Sequence, residues 1–248
     1  MDGKQNDKEY TEGISVKSGF LAKLDNFWYH HKWMTLIVGF FIIVGVICTV
    51  QMCNKEADDL TVVYAGRNNL TPTEVESISS VLEAIAPSDF NGDGRKSIAL
   101  SAYNILSKDQ INDLQKETDA AGNHPHVDNS YYSSQYQTYN SYIKTGESSI
   151  LFVEPWEYES LVSSGVLVRL DTVLDNVPES AFSDYGIRLG DTDLYSEYGV
   201  MKLLPKDTVI CIMHIVVGKS GDEEHFEHEK QMFRAIVNFK AEDEVTEG

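Results

Sequence analysis

The chain has 248 residues, enough for one domain plus an anchor, and its 42% apolar content, with three Trp, 13 Tyr and 10 Phe, can furnish a packed core. Acidic side chains outnumber basic ones 39 to 20, and since residues 1–53 hold five of each, the whole net charge of −19 belongs to residues 54–248. A domain that acidic repels phosphate backbones, which argues against nucleic acid as a partner and against anionic lipid surfaces, and leaves cations or a basic protein surface compatible.

Residues 1–32 are polar and mixed in charge and read as a disordered cytoplasmic tail. Residues 33–53 read as a transmembrane helix. Within them Met34–Cys53 is a 20-residue run without a charge. At 1.5 Å per residue such a helix spans the roughly 30 Å hydrocarbon layer. Trp28, Tyr29 and Trp33 mark the interface at its start, and Lys17, Lys23 and Lys32 precede it, while Glu56, Asp58 and Asp59 follow. The bias of positive charge places the N-terminus in the cytoplasm and residues 54–240 outside, as a single-pass protein of the cell membrane. A cleaved signal peptide fits less well, because its charged leader would be unusually long and no small-x-small site follows the apolar core. Cys48 and Cys53 lie in or at the edge of that run, so only Cys211 is in the outer part, which therefore has no internal disulfide. That usage suits a bacterial surface protein.

The outer part alternates strand and helix patterns. Leu60–Ala65 is an apolar β-branched run suited to a buried strand. Thr71, Pro72 and Glu74 form a capping box that opens a helix with the stripe Val75, Ile78, Leu82, Ile85. Ile98–Asn104 reads as a second strand, and residues 107–121 as a helix. After a loop at 122–129, Tyr132, Tyr136, Tyr139 and Ile143 recur at helical spacing, as core residues with hydroxyls at the rim. Ile150–Val153 is a third strand, Glu157–Ser164 a short helix ending at Gly165, and residues 175–199 are irregular. Thr208–Val217 is the most apolar strand outside the membrane, Asp222 or Ser220 caps a last helix at 223–239, and residues 241–248 form an acidic tail. The pattern predicts an α/β fold, a mostly parallel sheet with helices on both faces.

Residues 146–174, GESSILFVEPWEYESLVSSGVLVRLDTVL, resemble the first-lobe signature of extracellular solute-binding proteins of ABC importers: an apolar strand, an acidic-Pro-aromatic turn, a helix, then a Gly-x-Leu-x-x-Leu-Asp stretch. The opening strand and its capped helix resemble the start of the same lobe, so the likeness covers roughly residues 59–175, by pattern rather than identity. It implies one periplasmic-binding-protein-like lobe. The residues after Leu174 are too few for a second lobe, so no two-lobed clamp is expected. On the matching positions the resemblance implies a ligand rim at Arg67, Asn68, Glu154 and Trp156. Ligands in open parallel sheets sit beyond the carboxyl ends of the strands, which adds Tyr103 and Asn104 to the rim.

Asp89-Phe90-Asn91-Gly92-Asp93-Gly94 matches the first half of a calcium loop, with Asp89, Asn91 and Asp93 as candidate oxygen ligands of a Ca²⁺ ion. Leu100 stands where the bidentate acid belongs, so the same residues read first as an Asn-Gly-Asp-Gly turn between helix and strand. His225, His228 and neighbouring acids are metal-capable, although the order is not that of a zinc protease and acids at a helix start need no metal. His214 reads as a core histidine and Cys211 as a small buried apolar residue. No phosphate loop, dinucleotide fingerprint or nucleophile elbow is present in the sequence, and no carboxylate pair stands out, which predicts no catalysis. The expected function is a membrane-tethered binding module for a small-molecule solute. The alternatives are a protein–protein module of an envelope assembly that uses the lobe as scaffold, and, more weakly, a metal-dependent hydrolase.

Overall fold

The computed structural model describes residues 19–53, 58–118, 124, 126–214, 218 and 222–240. Both tail readings fall outside these residues, apart from 19–32. The chain divides into two compact units, Met1–Ala57 and Asp58–Gly248.

The first unit contains α1 (Gly19–Cys53), so the helix starts earlier than the expected 33–53 span. Its segment His31–Thr49 is long and apolar enough to cross a membrane. Phe27, Trp28, Trp33, Ile37, Phe40, Phe41 and Ile43 are all exposed on it, as lipid-facing side chains would be.

The second unit is an α/β domain around a five-stranded sheet of order β2-β1-β3-β5-β4, with β1 at Leu60–Gly66, β2 at Ile98–Asn104, β3 at Ile150–Val153, β4 at Ile187–Arg188 and β5 at Val209–Ile212. β1 pairs in parallel with β2 and with β3, in the register Val62 with Leu100 and with Ile150. β5 runs antiparallel to both β3 and β4. The sheet is therefore mixed and not mostly parallel. An apolar β-branched run reads the same in either direction, and direction is set by the connection. Between β4 and β5 the chain turns through short helical pieces at one end of the sheet, with Leu189 N–H donating to Thr208 O at 2.8 Å and Gly190 N–H to Lys206 O at 2.8 Å. No crossover helix carries it back to the other end, so it must return in the opposite sense.

Residues alternate between the two faces of each strand. Val62 and Tyr64 of β1 join one cluster, covered by α2 (Pro72–Ile85) through Ile78 and Leu82 and by α8 (Glu223–Val237) through Met232, Phe233 and Ile236. Val63 and Ala65 join the other, covered by α4 (Asn129–Lys144) through Tyr139 and Ile143 and by α5 (Pro155–Ser164) through Tyr158 and Leu161. The layering is as expected, helices on both faces. The capping boxes form: Thr71 accepts from Glu74 N–H, and Ser107 does the same from Gln110 N–H at the start of α3 (Lys108–Lys116). Asp222 caps α8. The stretch at 167–174 contributes one bridge, Leu167 with Met213, and then α6 (Leu170–Val173). The irregular region contains β4 and α7 (Asp193–Glu197).

Candidate functional site

The positions expected to form a ligand rim follow the carboxyl ends of β1, β2 and β3. Gly66 closes β1 with the Tyr64 ring folded against it; a Cβ built at Gly66 would lie 2.3 Å from the Tyr64 oxygen. Glycine thus lets the buried tyrosine reach the turn, where its hydroxyl accepts from Asn68 N–H at 3.2 Å. Burial raises the Tyr64 phenol well above its usual range, so it stays neutral.

Arg67 and Glu154 form the centre. Glu154 is 1% exposed. Its Oε1 accepts from Arg67 N–H at 3.2 Å, and its Oε2 accepts from Arg67 Nη1 at 3.2 Å and from Gln110 Nε2 at 3.0 Å. Arg67 Nη2 turns the other way, to Asp207. Partial burial lowers the guanidinium pKa, but the Asp207 hydrogen bond and the Glu154 charge outweigh it, and the net shift is upward. Asn104 is buried, and its amide donates to Gly66 O at 3.2 Å and to Arg67 O at 2.8 Å. Asn68 Nδ2 donates to Leu203 O at 2.7 Å.

Three of the six expected rim residues, Arg67, Asn104 and Glu154, thus share one hydrogen-bonded network, while Asn68 bonds to the Tyr64 hydroxyl and to Leu203 O. Tyr103 and Trp156 belong elsewhere. The Tyr103 ring lies 6.0 Å from Tyr139 and 5.9 Å from Tyr142, and burial pushes its phenol up to about 12. Trp156 packs on Tyr136 at 5.8 Å, half-buried among the aromatics of α4. Gln110 and Asp207 are the members of the network that the sequence did not single out. Gln110 was visible only as the third residue of a capped helix, and Asp207 only as part of a Pro-Lys-Asp turn.

The loop at 89–95 folds on itself. Asp89 accepts from Gly92 N–H and Gly94 N–H, both at 2.7 Å, Asn91 Oδ1 accepts from Asp93 N–H at 2.8 Å, and Asp93 accepts from Arg95 N–H at 2.9 Å. Gly92 and Gly94 have φ of 75° and 92°, which glycine adopts without cost. The hydrogen bond from Gly94 N–H, with that from Gly92, lowers the Asp89 carboxyl pKa. Asp59 ties the loop to the sheet, accepting from Asn91 N–H at 3.2 Å and Ser97 N–H at 3.1 Å.

The metal-capable residues of α8 diverge. The His228 ring lies 4.9 Å from Phe90, while His225 Nε2 lies 3.9 Å from Glu229 Oε1. Among the described residues no three His, Cys, Asp or Glu side chains gather closely enough to hold a metal. Glu229 is itself buried in the apolar face of α8 and accepts from Ser149 N–H at 2.7 Å, pinning the helix to the start of β3. His214 is exposed, against the reading of a core histidine: β5 ends at Ile212, and the ring rests 4.8 Å from Phe226. Cys211 is fully buried as expected.

A separate cleft of about 390 Å³ lies between α4 and α5, walled by Tyr136, Ile143, Leu161, Val166 and Met213, with Glu157 in its lining. The sequence reading placed Glu157 only as a helix start. No family model matches the chain, and neither a curated protein nor a solved structure matches it.

Proposed function

We propose that the chain is a non-catalytic, membrane-tethered module whose outer α/β domain serves as a scaffold for a protein partner of the cell envelope. The observation that carries this reading is the Arg67–Glu154–Asp207–Gln110 network. The polar groups at the strand ends, where a solute would be held, are hydrogen-bonded to one another. A solute would have to replace those bonds, including the partner of a carboxylate 1% exposed, at the desolvation cost of a buried charge. The acidic outer domain favours a basic partner surface, whose encounter would be steered by charge and slowed by salt.

The proposed arrangement keeps residues 1–18 in the cytoplasm and the second unit outside, since Lys17, Lys23 and Lys32 precede the uncharged run Met34–Cys53 and Glu56, Asp58 and Asp59 follow it. Protease added to intact cells should then degrade the outer domain and spare an N-terminal tag.

The test uses the full chain in lipid nanodiscs, with thermal unfolding followed against sugars, amino acids and short peptides. The expected result is no saturable shift that depends on Arg67. In parallel, cross-linking in the native membrane should give a discrete adduct that weakens as salt rises. A saturable shift with one solute class, lost in Arg67→Ala, would return the rim to solute binding and overturn the scaffold reading.

A further inference from the structure

Among the described residues of the α/β domain three glutamates are buried, and their surroundings differ. Glu154 has a guanidinium and an amide, and Glu229 has a backbone N–H. Glu157 is 2% exposed and accepts one hydrogen bond, of 3.3 Å, from the Tyr136 hydroxyl, with the Tyr139 hydroxyl beside it. Among the described residues no basic side chain is paired with it. The buried Cys211 thiol of β5 also lies near it. An ionised carboxylate in such surroundings is costly unless a cation joins it.

This carboxyl also lines the α4–α5 cleft. About 390 Å³ lies within the range of small-ligand sites, and the combination of apolar walls with a few polar groups is their usual chemistry. Ile143, Leu161, Val166 and Met213 supply the apolar walls. The Tyr136 ring, backed by Trp156, offers a face that attracts positive charge. Lys144 and His214 also line the cleft but are exposed to water.

We infer that the α4–α5 cleft is a binding site for a small organic amine, whose ammonium pairs with Glu157 and whose apolar body fills the space between Leu161, Ile143 and Met213. The site is separate from the strand-end network and does not depend on the scaffold reading. Burial raises the Glu157 carboxyl pKa, against the opposing pull of the Tyr139 and Tyr136 hydroxyls, which is the state of a carboxylate lacking its counter-ion. The groups facing it are Tyr136 and Tyr139 from α4 and Cys211 from β5, with Lys144 and His214 elsewhere in the cleft lining.

The experiment uses the full chain in phosphatidylcholine nanodiscs, with empty nanodiscs as the blank, and measures binding of phenethylamine and of its neutral counterpart 2-phenylethanol by calorimetry at pH 7. The amine is expected to bind saturably, at least about tenfold more tightly than the alcohol, and Glu157→Gln should bring the two together. Ser160→Trp, at an exposed position of α5 that lines the cleft, should block both while leaving Glu157 in place, and it serves if Glu157→Gln fails to fold. Equal affinity for amine and alcohol, amine binding unchanged by Glu157→Gln or by Ser160→Trp, or no amine binding up to about 10 mM would each overturn the inference.

Discussion

Single residues set the chemistry of the α/β domain, and Gly66 shows how. It is a strand residue that allows an aromatic ring to lie where its side chain would be. Gly66→Ala should force the Tyr64 ring away and break its hydrogen bond with Asn68, destabilising the domain by about 1–3 kcal/mol, measurable by chemical unfolding. Glu157 makes a prediction about pH. Its folded pKa is raised above the unfolded value, so its protonated form binds the fold better. The stability it contributes is fully present below the unfolded pKa and is lost as pH rises through the folded pKa. Glu157→Gln stays neutral throughout, so the variant should gain stability relative to the parent across that rise, and a flat difference would contradict the assignment. None of this was legible in the sequence. Glu157 looked like any acid in a first helical turn, and its burial depends on the neighbouring helix α4, a tertiary contact that no local pattern records.

At the scale of elements the sequence was informative wherever local chemistry decides. Thr71, Pro72 and Glu74 announced α2, and the helix starts there because two otherwise unsatisfied backbone donors are met by side chains. Thr71→Ala should cost about 1 kcal/mol, seen as a lower midpoint of unfolding. β1, β2 and β3 were legible as apolar runs. The direction of β5 was not, because no residue within Val209–Ile212 records which end of the sheet the chain comes from. Glu229 was equally hidden: on the apolar face of α8 it accepts from Ser149 N–H across the interface, a partner no local pattern reveals. The rim was legible in part. Strand ends located Arg67, Asn68, Asn104 and Glu154, but whether they face a ligand or one another depends on Gln110 and Asp207, brought in from elsewhere in the chain.

For the whole molecule, charge and hydropathy divide the chain into an apolar helical unit and an acidic folded one. A chain held by α1 should stay with membranes through alkaline carbonate extraction, and one beginning at Asp58 should be released. What the folded unit does turns on whether its strand-end groups are a structural clasp or a waiting site. The most direct measurement is the unfolding free energy of the full chain without ligand, for the parent and for Arg67→Ala. A clasp predicts a loss of about 1–3 kcal/mol, because Glu154 is left buried without its main partner, a figure kept below that of a fully buried pair since Arg67 is 37% exposed. Replacing Glu154 by Gln in the same chain should then restore part of the loss. If Arg67→Ala leaves stability unchanged or raises it, the arginine is being held for a ligand, and the scaffold account is wrong.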